Sequence, residues 1–155
     1  MEAELIADYA CVTGEGPLWH PMEKCLYWVD IESGRMFRYY PLSGIHEQFY
    51  DGDLVGGFTI QEDGNLLLFM AQGAIAHWKE GKLEYILDGI LGEEENRFND
   101  VITDPAGRVF CGTMHINPDR GWDRLGSLFR LDLDGSVIKV LGDVTIANGM
   151  GFTLD

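Results

Sequence analysis

Apolar and polar residues alternate in short runs along this chain, and few windows keep an apolar face at helical spacing. Runs of Tyr, Trp, Phe, Val, Ile and Leu end at Gly, Asp, Asn or Pro. The pattern therefore predicts β-strands joined by tight turns. One unit recurs. Residues 18–30, 58–69 and 101–111 each read as strand, turn and strand, with turns aligned at Lys24, Gly64 and Gly107, in steps of 40 and 43 residues. A second hairpin follows each unit: 34–40 with 45–50, 74–78 with 83–87, and 126–131 with 136–141. Glu80-Gly81 and Asp134-Gly135 supply the positive φ that tight hairpins need. Residues 151–155 read as the start of a fourth unit, cut at its turn.

Four strands every 40 or so residues is the period of a β-propeller blade. The fold class expected is all-β, with about three blades of a propeller present and residues 1–155 forming a single partial domain. Blade one is expected at 16–50, blade two at 56–88, blade three at 99–141 and the start of blade four at 148–155. Residues 3–12 read as an N-terminal strand that closes the ring by pairing with the last blade. A solenoid of shorter repeats, or an immunoglobulin-like sandwich, fits this regularity less well.

Composition narrows the function. The 155 residues carry 26 acidic and 11 basic side chains, a formal charge of −15. That balance disfavours nucleic acid and anionic membrane surfaces, whose phosphates attract Lys and Arg, and it suits either a solvated acidic surface or a site for a metal cation. The 3 cysteines, Cys11, Cys25 and Cys111, are widely spaced with no C-x-x-C, which argues against a disulfide framework or a zinc cluster. The first ten residues carry Glu2, Glu4 and Asp8 and do not read as a signal peptide, and no apolar run approaches the ~18 residues of a membrane span. The expectation is a cytoplasmic protein with neither nucleic-acid nor membrane partners.

Three places share a design. Gly14-Glu15-Gly16-Pro17, Arg97-Phe98-Asn99-Asp100 and Ala147-Asn148-Gly149-Met150 each set a short oxygen-bearing side chain beside a glycine or tight turn, just before the first strand of a repeat. In a propeller the innermost strands begin around the central channel, so Glu15, Asn99 and Asn148 are expected to converge there. One carboxylate and two amide carbonyls form an all-oxygen set suited to Ca²⁺, Mg²⁺ or Mn²⁺, with Zn²⁺ tolerated in a looser site. Each asparagine alone is equally an ordinary turn residue; the joint placement is what favours a site.

These blocks, with Asp104-Pro105-Ala106-Gly107-Arg108 and Cys111-Gly112-Thr113-Met114, resemble the SMP-30/gluconolactonase/LRE (regucalcin-like) family in order and spacing over nearly the whole chain. The resemblance implies a six-bladed propeller with one divalent ion, Ca²⁺ foremost, in the central channel. It implies that Glu15 and Asn148 ligate the ion, and that Asn99 ligates it or holds the substrate beside it. Arg97 matches a residue that contacts the oxygens of a sugar lactone, a task that suits a guanidinium fork. A salt bridge from Arg97 to Glu93, Glu94 or Glu95 is the competing reading. The activity implied is metal-dependent hydrolysis of sugar lactones, a carboxylic ester hydrolysis. The family's general-base aspartate belongs to a later blade, so no catalytic residue is identified within this chain, and activity is expected to need the other half of the ring. The neighbour blades are expected from one of three sources: a longer product of which this chain is a truncation, a complementary half-propeller chain, or a second copy, which would still lack that aspartate. The alternative is a non-catalytic metal- or sugar-binding partial propeller. Paraoxonase-like and strictosidine-synthase-like propellers are disfavoured by the Arg97–Asp100 block.

Other signals stay open. Asp100 either supports the site or makes an Asx turn. His115, Arg120, Trp122 and Asp123 form either a lid over the channel or an ordinary loop. Asp132-Leu133-Asp134-Gly135 reads as a hairpin turn, since its glycine is misplaced for a calcium loop. His20, His46 and His77 are scattered and read as packing or surface residues.

Overall fold

The computed structural model describes residues 2–117, 119 and 125–153. Strands β1 (Gly14–His20), β2 (Cys25–Asp30), β3 (Arg35–Tyr40) and β4 (Ile45–Asp51) make one antiparallel sheet in chain order. β5 (Val55–Ile60), β6 (Leu66–Met70), β7 (Ile75–Lys79) and β8 (Lys82–Leu87) make the second. β9 (Asn96–Thr103), β10 (Val109–His115), β11 (Gly126–Leu131) and β12 (Val137–Val144) make the third. The aligned turn positions share one conformation: φ is +57° at Lys24 and +84° at both Gly64 and Gly107. The Asp132–Gly135 segment is a turn, closed by Gly135 N–H to Asp132 O at 3.0 Å.

The sheets stack face to face because the middle one is apolar on both sides. Leu66, Leu68 and Met70 pack with Tyr27, Val29 and Met36 of the first sheet. The alternate residues Leu67 and Phe69 pack with Phe98, Val109 and Phe129 of the third. The period-2 alternation of strand side chains thus sends one unbroken apolar run into two cores. Each fully buried Leu or Phe contributes about 1.5–3 kcal/mol. The first strands of the sheets, β1, β5 and β9, lie against one another in that order, while the last strands, β4, β8 and β12, are largely exposed.

Residues 3–12 carry no strand. A strand needs a ladder partner, and none of the described strands pairs with this segment. It is held by aromatic packing instead: Tyr9 stacks on Phe37 with centroids 4.2 Å apart, and its hydroxyl bonds His46 Nδ1 at 2.8 Å. Residues 148–153 also carry no strand, and 154 and 155 lie outside the described residues. The three cysteines are free. Among the described residues, no helix is long and apolar enough to cross a membrane.

A buried ion pair ties the start of β1 to its sheet. Asp30, at 0% exposure, accepts from Arg35 Nη2 at 2.6 Å and from Thr13 N–H at 2.9 Å. Burial alone would raise the Asp30 carboxyl, but the bonds from Arg35, Thr13 and Ser33 outweigh it and hold the group below the ordinary carboxylate range. A lowered folded-state value contributes stability above the unfolded pKa of about 3.9 and loses it as pH falls through the folded value. Melting temperature followed from pH 6 downward should therefore drop below about pH 4. Asp30→Asn should be less stable at neutral pH and lose that part of the acid sensitivity. An unchanged acid limb in the variant would rule Asp30 out as a cause.

Candidate active site

The first strands of the three sheets converge on a cleft of about 210 Å³, lined by Glu15, Gly56, Gly57, Phe58, Asn99 and Asp100 among others. Two local features shape it. β1 is irregular between Glu15 and Leu18, where Gly16 has φ +61°, so Glu15 sits at a break in its ladder. On the far wall, β5 approaches β9 without side chains. A Cβ on Gly56 would lie 1.7 Å from the Phe98 carbonyl oxygen, and one on Gly57 would lie 2.9 Å from Val101. The glycine pair therefore sets how close the second and third sheets come at the cleft.

Arg97 and Asn99 form the buried side of the site, each under a tenth exposed. Arg97 Nη1 donates to Asn99 Oδ1 at 2.7 Å and to Phe98 O at 3.1 Å. Asn99 Nδ2 donates to Ala147 O at 2.9 Å. Burial lowers the Arg97 pKa from its ordinary value, and the charges of Glu15 and Glu32 pull it back up. A guanidinium still keeps its proton in this setting. Arg97 itself does not line the cleft; it is held behind Asn99, close enough for the Glu15 charge to act on it.

Of the three residues expected to converge, Glu15 and Asn99 line one cleft. Asn148 is exposed, and its own side chain is not part of that lining. Its segment is nonetheless tied to β9: besides the Ala147 bond, Met150 N–H donates to Asp100 Oδ2 at 3.3 Å. Asp100 Oδ1 accepts from Val101 N–H at 2.9 Å, so this residue both bonds the next amide of β9 and anchors the Asn148 turn. Glu93 is not paired with Arg97. It is buried among Asn96, Thr113 and Ser127. His115 is buried, with Asn117 N–H donating to its Nδ1 at 3.0 Å, whereas Arg120, Trp122 and Asp123 lie outside the described residues. His20 is a packing residue bonded to Gly64 O at 2.9 Å.

Sequence reasoning missed Gly56, Gly57, Glu32, and the Glu93–Thr113–Ser127 group. A double glycine inside an otherwise apolar strand was the available signal for the close approach.

The sequence profile described as the SMP-30/Gluconolactonase/LRE-like region matches residues 13–155. Pentonolactonase XacC of Haloferax volcanii is 48% identical over 155 residues, which is 100% of this chain and 51% of that protein. 6-deoxy-6-sulfogluconolactonase of Pseudomonas putida is 34% identical over 145 residues, 93% of this chain and 49% of that protein. A solved luciferin-regenerating enzyme superposes with a TM-score of 0.78 at 27% identity, covering 88% of this chain and 47% of that one. The chain spans about half the length of the curated relatives it matches.

Proposed function

This chain belongs to the SMP-30/gluconolactonase/LRE-like family, and we propose that its sheets are three blades of a six-bladed ring that hydrolyses sugar lactones. The single observation that carries the reading is the buried Arg97–Asn99 pair, whose Asn99 lines a cleft that also holds Glu15. The names of the two lactonase relatives support the substrate class.

The donors fit a hard divalent cation. The Glu15 carboxylate is exposed and takes no hydrogen bond from the described residues, so both its oxygens are open. Asn148 is exposed on a turn anchored beside Asn99. Asn99 is the poorest metal ligand of the three, because its Oδ1 already accepts from Arg97 and a cation there would meet a guanidinium. We therefore assign the cation, Ca²⁺ by preference for such oxygens, to Glu15 and Asn148, and we assign Asn99 to the substrate side. When bound, the cation supplies Lewis-acid polarisation of the lactone carbonyl.

The chain's own residues then orient the reaction. Arg97 presents its remaining N–H groups to the ring and hydroxyl oxygens of the lactone, already charged and already fixed by Phe98 O and Asn99 Oδ1. Pre-fixing the fork removes an entropic cost from binding. Asn99 is itself clamped by Ala147 O, so the donor pair cannot swing away when substrate enters. The proton acceptor for the attacking water is assigned to a later blade of the ring.

Acid release from a gluconolactone or pentonolactone by the complete six-bladed ring, followed with and without EDTA, tests the proposal. Activity should vanish on chelation and return with added Ca²⁺. Turnover indifferent to chelation would remove the metal role, and no lactone turnover or binding under any condition would remove the substrate class.

A further inference from the structure

Asn99 is the extra residue of a β-bulge, and a buried carboxylate from the preceding connection braces that bulge. β10 pairs with β9 at Thr113↔Phe98 and at Gly112↔Asp100, which leaves Asn99 without a cross-strand partner. Thr113, at 0% exposure, closes the bulge from the β10 side. Its hydroxyl donates to Glu93 Oε2 at 2.7 Å and accepts the Ser127 N–H at 2.8 Å. Two further donors converge on Glu93, which is itself 4% exposed: Asn96 Nδ2 reaches Oε2 at 2.7 Å and Ser127 Oγ reaches Oε1 at 3.0 Å. One carboxylate thus joins the entry of β9 to β10 and to β11. Its backbone is anchored as well, with Glu93 N–H to Ile90 O at 3.0 Å and Asn96 N–H to Glu93 O at 2.9 Å.

A buried carboxylate is costly unless donors surround it, and an acceptor-only group matches three converging donors. Bulges beside active sites re-aim a side chain. We infer that Glu93 is a positioning residue for lactone binding: it holds the bulge that presents Asn99 to the cleft and, through Asn99 Oδ1, fixes Arg97. The inference rests on the proposed substrate role of that pair. It also gives the connection between β8 and β9 a function that its surface position hides.

The test compares Glu93→Leu, Glu93→Gln and Thr113→Val with the unaltered chain. One readout is the nitrogen–proton NMR signals of the Asn99 side-chain amide and of Arg97 Nε. The other, in the complete six-bladed ring, is KM against kcat for a sugar lactone. Glu93→Leu and Thr113→Val should shift both signals and raise KM about tenfold with a smaller change in kcat. The Arg35 and Arg38 signals of the first sheet should stay in place. Glu93→Gln should restore the native signals and KM, since its amide can accept from Asn96 and Thr113 and donate to the Ser127 hydroxyl. If Glu93→Leu does not fold, Thr113→Val, which removes one hydroxyl at constant shape, carries the comparison. Asn99 and Arg97 signals unmoved in Thr113→Val overturn the inference, and so does a Glu93→Gln variant as perturbed as the leucine one. If the complete six-bladed ring neither binds nor hydrolyses lactone, the proposed function falls while the NMR signals still decide the role of Glu93.

Discussion

In the complete ring that carries the general base, replacing Arg97 by alanine should lower kcat/KM for a sugar lactone about a hundredfold, the scale of losing one or two charged hydrogen bonds from a preformed site. The reason is the state of the side chain before substrate arrives. Arg97 is 6% exposed, and one of its terminal nitrogens is held by Phe98 O and Asn99 Oδ1. The remaining N–H groups are available and already oriented. Arg97→Lys keeps the charge but not the fork, so it should recover only part of the loss. A binding role predicts that KM carries most of the change. Initial rates over a range of lactone concentrations separate the two parameters. A variant with native kcat/KM would leave Arg97 as a core residue and return the site to Glu15 and Asn148 alone.

Gly56→Ala should cost about 3 kcal/mol of stability, the upper part of the range for overpacking. The added Cβ meets a backbone carbonyl, Phe98 O at 1.7 Å, rather than a side chain that could rotate away. The strain must therefore move β5 against β9. Phe98 O is also an acceptor for Arg97, so the same displacement should weaken lactone binding. Gly151→Ala is the control, because nothing lies within 4 Å of its added Cβ. Urea unfolding of both variants gives the comparison. Equal midpoints would mean that the sheets slide apart at no cost and that the glycine pair does not set their spacing.

Much of the architecture was legible because blade chemistry is local. Two hairpins per repeat, turn residues at Lys24, Gly64 and Gly107, and an all-apolar run at Leu66–Met70 all follow from neighbours in the chain. The 3–12 segment was not legible in the same way. It reads as a closing strand, yet strand formation depends on a partner, and here Tyr9 packs onto Phe37 instead. The site divides along the same line. Glu15, Asn99 and Asn148 stood out as residue types at equivalent repeat positions, and Arg97 only through the family resemblance, whereas their grouping did not follow from type. Asn148 looks equivalent to Asn99 in sequence but is exposed and outside the cleft lining, and Glu93 looked like a partner for Arg97 but serves Thr113, Ser127 and Asn96.

By itself the sequence determined the strand content, the repeat, the turns and the chemical character of the candidate site residues. Each of these depends on backbone preference or on side-chain alternation within a few neighbours. Only the tertiary structure decided that Asn99 sits on a bulge, that its oxygen is committed to Arg97, and that Glu93 braces the bulge from beneath. Those contacts join β9, β10, β11 and the connection before β9 within the third sheet, over separations as long as the 34 residues between Glu93 and Ser127, and pairing register at that range is not encoded by any local spacing along the chain.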